Sequence, residues 1–273
     1  MLRGNSPAGT SARTAAEPRS LMPGIGCTDA NKGYDDMPKH IGIVAVSAEG
    51  AALCYRTVCV EGATVLGRHA HPEVTMHTYP LSGYMRHIDA GRWDEVASML
   101  LASAEKLRRA GADFLICPDN TAHEAIDLIR DQSPMPWLHI AEEVSIVAAQ
   151  RGFRRLLILG TRFLMEGPVY PTKLRAMGIE CEIPSADQRT RINALIFDEL
   201  VYGRFEEPTR SYFSHVIAEG KSRGIDAAVL GCTEIPLLIG DADSPLPTLD
   251  STRILARAAL HRAVREEAPN SKE

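Results

Sequence analysis

The sequence predicts an α/β fold of two similar half-domains, each with a parallel sheet, related by a pseudo-two-fold axis. Two observations support this class. Short apolar runs alternate with segments of helical periodicity, and Gly or Pro residues separate them. The chain also matches itself at a constant offset of 113 residues. A repeat of this length indicates two copies of one unit rather than a solenoid, with the candidate site in the cleft between them.

The internal repeat is clearest where two buried strands are expected to end. Residues 111–121 match residues 224–234, so Asp119 in the first copy corresponds to Cys232 in the second. The same offset relates two apolar runs, 43–47 and 156–160. If the copies face each other, Asp119 and Cys232 lie on opposite sides of one cleft.

The first half is expected to alternate strands and helices. The run 41–46 is apolar throughout, as in a parallel strand covered on both faces, whereas 74–79 alternates apolar and polar residues. Residues 93–107 carry apolar side chains at helical spacing, and Gly111 is a natural C-cap. The expected elements in order are strand 41–46, helix 49–60, strand 74–79, helix 93–107, strand 114–117, helix 121–130 and strand 137–140.

The second half repeats this alternation. Its first strand is again an apolar run, and two longer helical segments precede the strand that leads to Cys232. The expected elements in order are strand 156–159, helix 170–177, strand 179–183, helices 187–202 and 209–223, strand 227–230 and helix 251–265. In parallel sheets, ligands bind at the carboxyl ends of strands, and Ser47, Thr161, Asp119 and Cys232 all lie at such ends.

Composition sets the domain boundaries. Residues 1–39 are rich in Gly, Ser, Ala, Pro and Arg and lack hydrophobic periodicity, so we expect a disordered extension, and the alternative is that Met37 is the initiator. The first half is expected over 40–150 and the second over 151–250. Helix 251–265 is expected to pack back on the first half, and 266–273 to form a disordered tail.

Charge and cysteine usage narrow the class of function. The net charge of −5 gives no reason to expect nucleic acid or an anionic membrane as a partner, and no apolar run is long enough to cross a membrane. The six cysteines form no Cys-x-x-Cys pair, so we expect reduced thiols in a cytoplasmic protein. No dinucleotide, nucleoside triphosphate or metal-binding pattern is present, so we expect none of these three kinds of ligand.

Cys232 and Asp119 are the candidate acid/base groups. Cys232 follows a buried strand, and backbone N–H groups of a helix after it would lower the pKa of the thiol. The simpler interpretation is a buried, inert cysteine. For Asp119 the simpler interpretation is a cap of the next helix. Nearby neutral donors could bind a substrate carboxylate, and the candidates for substrate binding are Ser47, Asn120, Thr121, Ala122, Thr161, Thr233 and Glu234.

The sequence resembles the aspartate/glutamate racemase superfamily, which includes hydantoin racemases, maleate isomerases and arylmalonate decarboxylases. The resemblance covers about residues 40–265. The segments that carry it are 41–52, 118–123, 159–162, 165–174, 231–234 and 249–253. It implies a pseudo-two-fold α/β fold, a homodimer, no cofactor, and two cysteines that face each other across the substrate Cα. It also implies that Asn120 to Ala122 bind the substrate carboxylate.

The chain departs from the family pattern where the first catalytic cysteine would stand, because that residue is Asp119. The ordinary pKa values of the two side chains, about 3.9 and 8.5, differ by roughly 4.6 units. Asp119 could therefore donate a proton only if burial or nearby negative charge raised its pKa. Symmetric two-thiol chemistry does not follow from the resemblance alone.

The predicted function is cofactor-independent racemisation or epimerisation of a small amino acid, with Cys232 and Asp119 as the two bases. An acidic amino acid is expected from the resemblance. One alternative is a single-cysteine decarboxylase or cis–trans isomerase of a small dicarboxylate, in which Asp119 positions substrate or water. Another is a catalytically silent protein that binds a small carboxylate.

Overall fold

The computed structural model describes residues 37–265. Most of the expected N-terminal extension and the whole of the expected tail lie outside these residues. None of the helices in the described part is long and apolar enough to cross a membrane.

The first half contains a four-stranded parallel sheet in the order β2-β1-β3-β4. Its strands are β1 (Ile41–Ala45), β2 (Val74–Thr78), β3 (Phe114–Ile116) and β4 (Trp137–Leu138). The two central strands β1 and β3 are fully buried, which explains their continuous apolar sequence, whereas β2 is an edge strand with exposed side chains. The parallel pairing directs the carboxyl ends of β1 and β3 to the same edge.

The second half contains a second four-stranded parallel sheet, in the order β6-β5-β7-β8. Its strands are β5 (Arg155–Leu159), β6 (Glu180–Glu182), β7 (Ala227–Leu230) and β8 (Thr248–Asp250). The order repeats that of the first sheet, with β5 in the place of β1 and β7 in the place of β3. The repeated topology confirms the α/β fold with two similar parallel sheets that the internal repeat predicts.

Eleven helices of the described residues connect and cover these strands. They are α1 (Ala48–Leu66), α2 (Leu81–Ile88), α3 (Trp93–Arg109), α4 (His123–Ile129), α5 (Ile140–Gln150), α6 (Arg162–Glu166), α7 (Val169–Ala176), α8 (Ala186–Asp198), α9 (Glu207–Ser222), α10 (Ile235–Leu238) and α11 (Ser251–Val264). Short 3₁₀ turns at Arg130–Gln132 and Leu200–Tyr202 follow α4 and α8.

The last helix, α11, joins the core of the first half. Leu255, Ala256 and Ala259 are fully buried in one apolar cluster with Ile43 of β1 and Cys54 of α1. On the surface, Arg257 donates two hydrogen bonds of 2.8 Å to the carboxylate of Glu61 in α1. The small alanine side chains let α11 approach α1 closely, and the Arg–Glu pair fixes its orientation.

Four elements were not predicted from the sequence. These are α2, α5, α6 and β8. The segment 137–140 is a strand only as far as Leu138, and α5 begins at Ile140 because buried apolar side chains then recur at helical spacing. The helix predicted over 187–202 ends at Asp198, where the chain continues into a 3₁₀ turn.

Candidate active site

A small cavity lies where the carboxyl ends of the central strands of the two sheets meet. Its volume is about 60 Å³. All predicted site residues except Ala122 line it, together with Gly231 and a set of apolar side chains. The full lining is Val46, Ser47, Leu81, Met85, Ile88, Asp119, Asn120, Thr121, Thr161, Phe163, Ile196, Phe197, Val201, Gly231, Cys232, Thr233 and Glu234.

A second depression in the surface has a larger volume than this cavity. A groove of about 850 Å³ runs between α5 and α11, lined by residues such as Val147, Ile254 and Arg262. It lacks the strand-end loops, and none of the predicted acid/base groups contributes to its surface. The small cavity is the better candidate because it gathers titratable groups and hydroxyls at a strand-end edge.

Asp119 makes a structural hydrogen bond and also has a raised pKa. Its Oδ1 atom accepts a hydrogen bond of 2.9 Å from the backbone N–H of the buried Ala122, just before α4. This bond holds the turn that leads into α4, whose own N-cap is Ala122 without a side-chain cap bond. Burial nevertheless raises the pKa of Asp119 to about 6, opposed by the Ala122 N–H and assisted by the negative charge of Glu234. An aspartate with this pKa exchanges a proton near neutral pH, which a simple cap does not require.

Cys232 is buried and forms a hydrogen-bonded group with its neighbours. Its Sγ atom donates to Oε2 of Glu234 at 2.9 Å, and Oγ1 of Thr233 donates to the same oxygen at 3.0 Å. Burial and the adjacent Glu234 raise the pKa of the thiol well above its usual range. The lowered pKa that the sequence suggested is wrong, since α10 is a single turn and the nearest charge is negative.

Two pairs of hydroxyl groups cross from one half to the other beside the acid/base groups. Ser47 Oγ and Thr233 Oγ1 are 3.2 Å apart, and Thr121 Oγ1 and Thr161 Oγ1 are 3.0 Å apart. Ser47 and Thr161 are also the N-caps of α1 and α6, where they accept from Gly50 N and Leu164 N. The caps hold these hydroxyls at equivalent positions in the two halves, at the rim of the cavity.

Asn120 lies at the centre of a buried hydrogen-bond chain. Its Oδ1 atom accepts from the Tyr170 hydroxyl at 2.7 Å, and its Nδ2 atom donates to Ser251 Oγ at 3.0 Å. Ser251 Oγ in turn donates to the backbone oxygen of Leu230, at the end of β7, at 2.9 Å. The Asn120 side chain therefore connects the Asp119 loop with the strand that leads to Cys232. The sequence named Asn120 only as a ligand of substrate, and it gave no role to Ser251.

Removing the hydroxyl group of Tyr170 is expected to impair catalysis indirectly, by changing the position of the Asp119 loop. Tyr170→Phe leaves Asn120 Oδ1 buried without its donor, which costs about 1–3 kcal/mol of unfolding free energy. We expect kcat to fall while KM changes little, because the Asp119 loop loses its connection to α7. Urea unfolding and steady-state kinetics measure the two effects. Tyr212→Phe, outside the cavity, is the control, and equal kinetics in both variants would contradict a positioning role.

Gly50 is the point where α1 contacts both strand-end loops. A Cβ atom at this position would lie 2.6 Å from Pro118 O, in the Asp119 loop, and 2.6 Å from Thr233 Cγ2, beside Cys232. Neither neighbour is a flexible side-chain end. Only glycine lets the first turn of α1 lie this close to both strand-end loops.

Gly50→Ala is therefore expected to force the two loops apart. Overpacking of this kind costs about 1–3 kcal/mol of stability, although alanine favours a helix. A displacement of the acid/base groups should lower kcat/KM roughly 10-fold to 100-fold. Gly240→Ala, where a Cβ meets nothing within 4 Å, is the matched control. Thermal unfolding and kinetics of the pair test the contact, and a fully active, unchanged Gly50→Ala protein would refute it.

Comparison with known proteins assigns the chain to a family. The family model for Asp/Glu/Hydantoin racemase matches residues 41–259. The broad specificity amino-acid racemase RacX of Bacillus subtilis is 26% identical over 195 residues, which are 70% of this chain and 81% of RacX. A glutamate racemase of Thermus thermophilus is 27% identical over 171 residues, with 60% of this chain and 57% of that protein covered.

Solved structures agree with this assignment. A Yersinia pestis protein assigned to the Asp/Glu racemases superposes with a TM-score of 0.77 and 30% identity, over 83% of this chain and 100% of that chain. An aspartate racemase homologue from Pyrococcus horikoshii OT3 superposes with a TM-score of 0.73 and 26% identity, over the same shares. The chain therefore belongs to the Asp/Glu/Hydantoin racemase family of isomerases.

Proposed function

We propose that the protein racemises a small amino acid without a cofactor, with Asp119 and Cys232 as the two acid/base groups. The observation that supports this most is that both residues line one cavity, although they come from different sheets. Each follows the equivalent central strand of its half. Inversion at Cα needs one group to remove the proton from one face and another to return a proton to the opposite face.

Before and after each turnover, one of the two groups carries a proton and the other does not. Near neutral pH Asp119 is largely ionised, because its pKa is about 6, whereas the raised pKa of Cys232 keeps the thiol protonated. In one direction Asp119 removes the Cα proton and Cys232 donates its own. The product state then holds a protonated Asp119 and a thiolate, which is the starting state for the reverse direction.

Glu234 is the group through which Cys232 can reach its thiolate form. Its carboxylate already accepts the hydrogen bond from the Cys232 thiol and a second one from Thr233. It is therefore placed to take the thiol proton before Cys232 acts as a base, while Asp119 takes up a proton from solvent and becomes the donor for the opposite face. The hydroxyls of Thr121 and Thr161 are the donors that we assign to the substrate carboxylate, because the single hydroxyl hydrogen of Thr233 already goes to Glu234.

The oligomeric state, the cellular location and the side chain of the substrate stay predictions. The homodimer and the cytoplasmic location rest on the resemblance and on cysteine usage. The acidic side chain of the substrate also rests on the resemblance, and the cavity offers no cation as its partner. The single-cysteine alternative predicts the same cavity but assigns Asp119 only to positioning.

Proton NMR in D₂O tests the proposal directly. The protein is incubated with single enantiomers of a panel of amino acids and small dicarboxylates, with Cys232→Ala as the control. Loss of the Cα–H signal together with appearance of the other enantiomer by chiral chromatography supports racemisation. Release of carbon dioxide or a change of double-bond geometry supports the single-cysteine chemistry, and binding without any exchange supports a silent binding protein.

A further inference from the structure

The charged side chains that line the cavity are all acidic. Its ionisable side chains other than Cys232 are the two acids Asp119 and Glu234. No Lys, Arg or His is among the described residues that line it. A second carboxylate on a substrate is normally held by Arg or Lys, or by several oriented donors, because burying it beside other carboxylates raises its free energy.

The polar and apolar groups occupy different parts of the lining. The polar groups all stand on the strand-end loops, where the reacting carbon is expected. Apart from Val46, which follows β1, the apolar side chains come from helices and a 3₁₀ turn. From α2 they are Leu81, Met85 and Ile88, at i, i+4 and i+7 on one face. The second half adds Phe163 of α6, Ile196 and Phe197 of α8, and Val201 of the following 3₁₀ turn.

We call this set of side chains the apolar wall, and several of its members pack against the two cores. Ile88 and Ile196 are buried, at 3% and 1% exposure. Met85 and Phe163 pack against the core of the first half, and Val201 packs against the core of the second. The wall faces the strand-end loops across the cavity, so a substrate held by those loops directs its side chain toward apolar surface.

We propose that the substrate side chain is uncharged and apolar, and that the apolar wall selects it. This inference rests on the proposed racemase function and specifies its substrate class. The α-ammonium group of such a substrate complements the acidic lining, and its α-carboxylate takes the hydroxyl donors. Aspartate or glutamate would add a carboxylate that meets either Asp119 and Glu234 or the apolar wall.

A set of isosteric substrates tests the inference. Leucine, asparagine and aspartate have side chains of the same branched shape but are apolar, polar and charged. We expect kcat/KM for Cα–H exchange in D₂O to fall in that order, with leucine at least about 10-fold above aspartate. Methionine should exceed glutamate by a similar factor. The intrinsic acidity of Cα–H is greater in aspartate than in leucine, so a preference for leucine cannot come from the substrate alone.

A charge placed in the wall provides the second test. Phe197→Arg should raise the ratio of kcat/KM for aspartate to that for leucine at least about 10-fold. Phe205→Arg is the matched control, since Phe205 is likewise a half-buried phenylalanine of the second half but does not line the cavity. Circular dichroism checks that both variants fold, and the isostere series on the unmodified protein decides the question if either does not.

The outcomes separate this inference from the proposed function. Faster exchange of aspartate or glutamate than of their isosteres overturns the apolar side chain and leaves racemisation intact. The absence of Cα–H exchange with every member of the series overturns the racemase proposal and the inference with it. Equal shifts in Phe197→Arg and Phe205→Arg would remove the wall as the origin of selectivity.

Discussion

Cys232→Ala is expected to abolish racemisation while the protein stays folded. Alanine cannot hold or donate a proton, so one face of the substrate Cα loses its acid/base group. Loss of a general acid or base costs roughly 10²-fold to 10⁴-fold in rate, and we expect a loss of about 10³-fold or more in kcat. Removing the Sγ donor to Glu234 costs only about 1 kcal/mol of stability, since Thr233 still donates to that carboxylate.

The matched control is Cys117→Ala. Cys117 is also a buried thiol just beyond β3, but it does not line the cavity. Its variant should keep kcat within a few-fold of the parent. Near-normal turnover by Cys232→Ala would remove this thiol from the mechanism, and a selective loss in Cys117→Ala would transfer the chemistry to the first half.

Asp119→Asn is expected to stop inversion of both enantiomers, again by about 10³-fold. The amide cannot take up the Cα proton, yet its oxygen can still accept from Ala122 N, so the cap is preserved. Cys232 still reaches one face. One enantiomer should therefore exchange its Cα–H with D₂O without inversion, which separates a missing second base from a collapsed site.

The same substitution is expected to stabilise the protein above pH 6. Because the pKa of Asp119 is raised to about 6, its folded form favours the proton. The favourable contribution is complete below about pH 4 and is lost as the pH rises through 6. Discounted for its partial exposure, the ionised carboxylate costs up to about 2 kcal/mol at pH 7.5, and asparagine avoids this cost.

Urea unfolding at pH 4 and pH 7.5 measures this effect. Asp119→Asn should exceed the parent in stability only at the higher pH. Undiminished racemisation by the variant would leave Asp119 as a cap alone and favour the one-thiol mechanism. Loss of stability at both pH values would show that its structural contacts outweigh its charge.

The central strands, and the places of Asp119 and Cys232 directly after them, could be predicted because both follow from sequence patterns. The run 41–46 is apolar throughout since β1 is buried on both faces, and the repeat places Asp119 and Cys232 after equivalent strands. The short helices α2 and α10 carry too few residues for periodicity to be distinctive.

The electrostatic character of the site could not be predicted in the same way. Glu234 stands two residues after Cys232, but the sequence does not indicate that its carboxylate turns back to the thiol rather than toward solvent. That one orientation changes the pKa shift of Cys232 from a decrease to an increase. The hydrogen-bond partners of Asn120 could not be predicted either, because Tyr170 and Ser251 lie 50 and 131 residues away along the chain.

The hydrogen bonds that cross between the halves also constrain how a substrate enters. A hinge motion that opened the cleft would break the Asn120 bonds to Tyr170 and Ser251 and both hydroxyl pairs. Even with water as the replacement partner, four such bonds cost roughly 2–6 kcal/mol. No such bond ties Met85 or Val201 across the cavity. We therefore expect a substrate to enter through local motion of α2 and the 200–202 turn rather than through opening of the two halves.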